Sequence, residues 1–239
     1  MLSGLEILEQ GLFNWKIPCD IRQLQLFEKY YSILFDWNQK MNITAIEALD
    51  DVMVFHFLDS LTPLLTGKIG SGAKIVDVGS GGGFPGIPLK IMRPDVEMVL
   101  VDSSMKRVSF LNELINVLSL EGIYVIHSRA ELVGNKKDYR ESFAVVLSRA
   151  VAQLRVLCEY CLPLTALGGS FIAHKGPGVE TEIPLARNAI QILGGSQPEL
   201  FSAEVFNSQK RHYLAMIEKV AKTPKKYPRS PGKPEKLPL

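Results

Sequence analysis

Cysteine is scarce in this chain: Cys19, Cys158 and Cys161 are the only three among 239 residues. So few, and an odd number, exclude a disulfide framework. Cys158 and Cys161 stand at i, i+3 in a helical pattern, where a place in the core explains them. No second Cys/His pair completes a zinc site, so no metal is expected. Long apolar runs are missing too. None approaches the roughly 18–20 residues that cross a bilayer, and Met1–Glu6 has neither the basic nor the apolar stretch of a secretory signal. There is no internal repeat. These absences predict a cytoplasmic protein, a monomer with no membrane partner. Net charge is low as well, at +2, but unevenly placed. Residues 219–239 hold Lys219, Lys222, Lys225, Lys226, Arg229, Lys233 and Lys236 against Glu235 alone. A mildly acidic body thus ends in a basic tail, a pattern that points to a polyanionic partner.

What is present is a helical start followed by strand–helix alternation. Residues 1–66 read as a helical extension packed on the main domain. Asp20 is placed to cap a helix, with Gln23 completing a capping box. Ile21, Leu24, Phe27, Tyr31, Leu34 and Phe35 then fall on one face. Two polar clusters follow, Trp37–Thr44 and His56–Ser60. In them Asn42 and Thr44 fit turn or cap roles, and His56 and Asp59 fit either a core or a ligand-facing place. Residues 67–221 carry strands at Lys74–Val78, Val96–Val101, Ile123–Ile126, Phe143–Leu147 and Gly169–His174, each followed by a helix or helical turn. Two more strands, near Leu200–Phe206 and His212–Val220, are joined by a loop short enough for a hairpin. The repeated β-then-α step implies a parallel sheet covered on both faces, with the last strand antiparallel. From residue 222 onward Pro, Lys and Gly dominate. A basic, Pro-rich, extended or disordered tail is expected there.

The chemistry concentrates between Asp77 and Lys90. A strand ends in Asp77-Val78-Gly79-Ser80-Gly81-Gly82-Gly83-Phe84-Pro85-Gly86 and runs into a helix. Bare glycine backbone and a helix N-terminus together make a nucleotide-type site. A dinucleotide turn counted from Gly79 needs a third glycine where Phe84 stands, and Pro85 removes a backbone donor. A P-loop needs a Lys-Ser/Thr pair that is missing. The better match is acidic-x-Gly-x-Gly-x-Gly, on Asp77, Gly79, Gly81 and Gly83. A carboxylate there repels phosphate but attracts an ammonium or sulfonium group, which fits S-adenosyl-L-methionine. Asp102 ends the next strand, where a carboxylate binds ribose hydroxyls in nicotinamide and methionine cofactors alike. Ala130 and Glu131 follow the third strand on the same sheet edge and suit the adenine edge. Phe84 is expected to pack against the ligand.

On these residues the chain resembles the class I methyltransferases. More narrowly it resembles the bacterial 16S ribosomal RNA guanine-N7 methyltransferase family, once called glucose-inhibited division protein B. The resemblance is carried by Trp37–Thr44, His56–Ser60, Val76–Lys90, Leu100–Arg107 and Leu147–Ala150. It implies a Rossmann-like α/β fold with a seven-stranded, mostly parallel sheet. It implies cofactor contacts on Gly79, Phe84, Ala130, Glu131 and Arg149, the last supplied by the resemblance alone. It also implies 16S ribosomal RNA, or the small ribosomal subunit, as the partner.

The acceptor side agrees with that reading. A pyrimidine carbon needs a cysteine nucleophile, and an exocyclic amine usually comes with an Asn/Asp-Pro-Pro-aromatic motif after the fourth strand. Ser148-Arg149-Ala150 stands there instead. Guanine N7 needs neither device, since its lone pair is free and no proton leaves. Arg149 is the expected catalytic residue, positioning cofactor and base. Lys175, at the end of the fifth strand, and the tail's Lys225, Lys226 and Arg229 are the candidate RNA contacts. A methyltransferase acting on a small molecule or protein, and a non-catalytic nucleotide-binding module, remain alternatives at this point.

Overall fold

A computed structural model describes residues 4–239; Met1–Ser3, included in the expected N-terminal extension, lie outside the described residues. Two helices open the chain, α1 (Gly4–Asn14) and α2 (Ile21–Asn38). Residues 49–66 then wind through α3 (Leu49–Val52), a π-helical stretch (Met53–Leu58), α4 (Asp59–Leu61) and a 3-10 turn (Thr62–Thr66). The alternating part follows as β1 (Lys74–Val78), α5 (Gly86–Met92), β2 (Glu97–Asp102), α6 (Met105–Val117), β3 (Ile123–His127), α7 (Ala130–Gly134) and β4 (Phe143–Arg149). It continues with α8 (Leu154–Cys161), β5 (Thr165–Lys175), α9 (Val179–Leu193), β6 (Glu199–Ala203), β7 (His212–Glu218) and α10 (Lys233–Lys236).

The sheet order is β3-β2-β1-β4-β5-β7-β6. β1 to β5 pair in parallel, and β7 runs antiparallel between β5 and β6. The period-2 alternation of the strands divides the core in two. Ile75, Met98, Leu100, Val145 and Leu147 face one helical layer, built from α1, α2, the π-helical stretch, α5 and α6. Val76, Val78, Val99, Val101 and Val146 face the other, built from α7, α8 and α9. The N-terminal helices therefore share a core with the sheet.

Asp20 caps α2 as the sequence predicts: its side chain accepts the Gln23 N–H at 2.8 Å and the Gln23 side chain accepts the Asp20 N–H at 3.0 Å. The buried stripe of α2 is turned from the expected one. Phe27, Tyr30, Leu34 and Asn38 are buried, whereas Ile21 and Phe35 are exposed. Aromatic packing decides the face, because Phe57 and Phe84 gather around Tyr30 at ring-centroid distances of 5.0 and 5.4 Å.

The tail is the main correction to the sequence reading. Residues 222–239 are not a free, disordered end. Tyr227 and Pro228 are buried, and Arg229 pairs with the buried Glu159. Lys219, which contributes to the tail's formal charge, is fully buried and bonded to the carbonyls of Leu162 and Leu193 at 2.8 and 3.0 Å. Proline and lysine obscured this in the sequence. The anchoring comes from hydrogen bonds to main-chain carbonyls and to carboxylates far away in the chain, which have no periodic signature.

Candidate active site

β1, β2, β3 and β4 all end at one edge of the sheet, where open parallel sheets place their ligands. Gly79 leaves β1 with φ +76, and a Cβ there would come within 2.3 Å of Val151 Cγ2, so only glycine lets the two loops approach. Between those loops and the end of β3 lies a cleft of about 220 Å³ walled by Gly79, Asp102, Ala130, Glu131, Ala150 and Val151. Four of the sequence-predicted cofactor residues thus meet in one place.

Asp102 is the polar floor of this cleft. Its Oδ1 accepts the Ser104 N–H at 2.8 Å, and its Oδ2 accepts the Gly81 N–H at 2.8 Å with Arg107 3.8 Å away. Each carboxylate oxygen keeps a second lone pair for ribose hydroxyls. Gly81 therefore acts by fixing Asp102. Gly83 serves close packing: at φ +92 its Cα lies under Tyr30, where a Cβ would fall 2.6 Å from the hydroxyl oxygen. That hydroxyl donates to the Gly82 carbonyl and pins the loop from beneath.

Two expectations change. Asp77 does not wall the cleft. It is fully buried under the glycine loop, where Oδ2 accepts the Gly86 N–H at 3.1 Å and Oδ1 has no partner. Burial pushes its carboxyl up to about 7, against the pull of the Gly86 N–H. Phe84 is not free to face a ligand either. Its ring lies against Tyr30 at 5.4 Å and His56 at 4.4 Å, with the Arg149 guanidinium 5.0 Å from its centroid. Phe84 thus shapes the place where Arg149 stands.

Arg149 ends β4 beside the cleft and organises a second cluster. One guanidinium nitrogen donates to the Phe55 carbonyl at 3.0 Å and to Asp59 Oδ2 at 2.7 Å; the other lies 2.8 Å from His56 Nδ1. Arginine only donates, so Nδ1 accepts and the imidazole proton sits on Nε2, 2.7 Å from Thr44 Oγ1. Burial, then the charge of Arg149, pushes His56 down to about 3. For Asp59, burial would raise the carboxyl, but the His212 hydrogen bond and the charges of His174 and Arg149 outweigh it and hold it below the usual carboxylate range. Its Oδ1 is 2.7 Å from His212 Nδ1.

Thr44, His56 and Asp59 thus join the site, and Asn42 stays exposed outside it. Tyr30, Phe55, Tyr160, His212 and Glu235 were missed. The one local signal is the π-helical stretch that turns His56 inward, a distortion frequent at functional sites. Phe55 belongs to the same stretch, and the other four arrive from distant segments.

The RNA candidates scatter. Lys175 Nζ donates to the Ala152 carbonyl at 2.8 Å and to Glu182 Oε2 at 2.7 Å, clamping the loop after β4 rather than facing solvent. The Arg229 guanidinium is committed to Glu159, with Nε 2.8 Å from Oε1. Lys225 and Lys226 are exposed. They lie between Thr223, bonded to Glu141, and Tyr227, bonded to Arg140, near the start of β4 and so at the edge opposite Arg149.

No helix among the described residues is long and apolar enough to cross a membrane. Nor do the described residues hold a His/Cys/Asp/Glu group able to bind a metal ion.

Residues 23–214 match the family model described as GidB, rRNA small subunit methyltransferase G. The chain is 46% identical over 234 residues to a ribosomal RNA small subunit methyltransferase G of Alkaliphilus oremlandii, covering 98% of each chain. It is 48% identical over 232 residues to one of Desulforamulus reducens, covering 97% of each. Among solved structures, the fold resembles an S-adenosyl-L-methionine-dependent methyltransferase from Methanococcus maripaludis, described as putative, with TM-score 0.55, 12% identity, and coverage of 80% of this chain and 93% of that one. It also resembles M. jannaschii TYW2 in complex with AdoMet, with TM-score 0.50, 14% identity, and coverage of 68% and 77%. At those identities the structural likeness bears on the fold alone. The sequence matches span nearly the whole molecule, and the chain belongs to the rRNA small subunit methyltransferase G family, S-adenosyl-L-methionine-dependent enzymes that act on small-subunit ribosomal RNA.

Proposed function

We propose that this chain methylates N7 of a guanine in 16S ribosomal RNA, with the cofactor held in the Gly79–Asp102–Ala130–Glu131 cleft and the guanine brought up to Arg149. The residues present suit the cofactor. Gly79 offers bare backbone, Asp102 has lone pairs to spare, and beneath the loop the unpartnered Asp77 Oδ1 belongs to a carboxyl that a cationic ligand draws toward its ionised form. When bound, S-adenosylmethionine supplies an electrophilic methyl on a cationic sulfur.

The observation that carries N7 is the state of the groups around Arg149. His56 has both nitrogens engaged and is held neutral, and Asp59 has both oxygens paired. Neither is placed to take a proton. Methylation at N7 releases none, whereas methylation of an amine or hydroxyl does. The chain's work is therefore positioning. The loop after β4 is held by Lys175 and Glu182, and Arg149 is held by Phe55, Asp59, His56 and Phe84. The rigid guanidinium fork suits a guanine edge or a phosphate.

Lys210 and Arg211 support an RNA-facing surface at this edge. They are exposed in the β6–β7 loop, directly before His212, and Lys210 Nζ lies 5.5 Å from the Phe55 ring centroid. Three unpaired cysteines support a reducing, cytoplasmic setting.

The test is transfer of labelled methyl to 16S ribosomal RNA from cells lacking the gene, followed by borohydride–aniline scission, which cuts the strand at 7-methylguanine. Label that enters without creating a scission site overturns the N7 assignment.

A further inference from the structure

The C-terminal segment reaches the cofactor cleft from the far side of the molecule. Thr223 N–H donates to Glu141 Oε1 at 2.7 Å near the start of β4. Arg140 then donates to the Tyr227 carbonyl at 2.7 Å, and Asn135 to the Pro228 carbonyl at 3.2 Å. Arg229 neutralises Glu159, a carboxylate only 1% exposed that needs a partner. These anchors carry the chain across α7 and α8 to Gly232, whose φ of +77 makes a turn that favours glycine. There the Gly232 N–H donates to Glu131 Oε1 at 2.9 Å. Three residues on, Glu235 accepts the Tyr160 hydroxyl at 3.1 Å, and both side chains line the cleft.

We propose that residues 230–236 are the outer wall of the cofactor cleft at its adenine end, and that the Gly232 N–H orients Glu131 to select a purine bearing a 6-amino group. This rests on the reading that the cleft holds the cofactor. Glu131 is 1% exposed, so its carboxylate has little freedom once Oε1 is committed. Oε2 has no hydrogen-bond partner among the described residues and is left to accept. An ionised carboxylate accepts only, so it pairs with an exocyclic amine and repels a carbonyl oxygen at the same position. Without Gly232 the carboxylate is free to rotate toward water and the discrimination weakens. Because the wall and the ligand meet the same side chain, tail docking and ligand binding reinforce each other, and the coupling acts equally in both directions.

The experiment compares S-adenosylhomocysteine with S-inosylhomocysteine, which carries a 6-oxo group, by calorimetry. The full chain should prefer the adenosyl ligand. A chain ending at Arg229 keeps Tyr227, Pro228 and the Arg229–Glu159 pair, so the anchors stay while the wall is lost. Its affinity for the adenosyl ligand should fall about tenfold, the loss expected for one charge-assisted hydrogen bond. Its affinity for the inosyl ligand should change little, so the preference collapses. An unchanged ratio of the two affinities overturns the proposal. Asp102→Ala separates this from failure of the cleft reading: it should weaken both ligands alike. If Asp102→Ala alters neither, the cleft is not the cofactor site, and reading and proposal fall together. If it weakens both while truncation leaves the ratio intact, the tail proposal alone falls. Should the shortened chain fold poorly, hydrogen exchange on the full chain decides. Amides of 230–236 should slow with S-adenosylhomocysteine and much less with S-inosylhomocysteine, and equal protection by both refutes the selection.

Discussion

Asp77→Asn isolates one buried charge. The side chain keeps its shape and its oxygen for the Gly86 N–H, but it loses the proton that wild type carries. In the folded chain that carboxyl is raised from 3.8 to about 7, mainly by burial. Between pH 4 and 7 the native state therefore holds a proton that the unfolded chain has released. Stability contributed by Asp77 is complete below about pH 4 and is lost as pH rises through 7, at about 1.4 kcal/mol per pH unit. Across the window the loss amounts to roughly 4 kcal/mol. His56 and His174 act in the opposite sense. Burial pushes them down to about 3 and about 4, so the unfolded chain binds their protons below pH 6.5 and stability rises with pH up to there. Wild type alone would thus show a muted profile, and subtraction from the variant exposes Asp77. In calorimetry from pH 4.5 to 8.5, Asp77→Asn should gain on wild type steadily up to pH 7 and then run parallel. For a chain of this size the gain corresponds to roughly 8–16 °C in Tm. Two curves parallel throughout would refute the reasoning and place an unperturbed acid under the loop. A cationic ligand above Asp77 favours the ionised form, so S-adenosylmethionine binding near pH 6.5 should release a proton, read as a buffer-dependent binding enthalpy.

Tyr30→Phe leaves the Gly82 carbonyl without its buried donor and should cost about 1–3 kcal/mol in urea unfolding; a change under 0.5 kcal/mol would mean that water replaces the hydroxyl. Arg149→Lys keeps the charge but cannot reach Phe55, Asp59 and His56 together, so kcat for RNA methylation should drop on the order of 100-fold, with folding checked by circular dichroism. Replacing Lys210 and Arg211 by alanine should flatten the salt dependence of RNA binding by about 0.7–0.9 per lost phosphate contact. The same change at Lys225 and Lys226, at the opposite sheet edge, should leave the slope intact; the reverse pattern would move the RNA surface onto the tail.

Some of the site was legible because its signal is local. Glycines and an acidic residue at fixed spacing announce a turn after a strand, and β1 begins and ends at the residues read from the sequence. The same logic put Asp102, Ala130 and Glu131 at one sheet edge, where they line the cleft, since strand ends in a parallel sheet converge there. Other roles depended on partners far away in the chain. Asp77 reads as a ligand group until the fold buries it, and Phe84 reads as a ligand platform until Tyr30, His56 and Arg149 close around it. Lys175 and Arg229 look like free cations until Glu182 and Glu159 claim them.

By itself the sequence determined the α/β alternation, the methionine-type cofactor loop and the strand-end residues, because turn geometry and hydrophobic period are properties of adjacent residues. The tertiary structure alone decided which charges are spent inside the protein and which face outward. It set His56 and Asp59 around Arg149, and it brought the tail's Gly232 to Glu131 across 101 positions of sequence. A carboxylate's role depends on what donates to it, and those donors come from wherever the chain has been brought together.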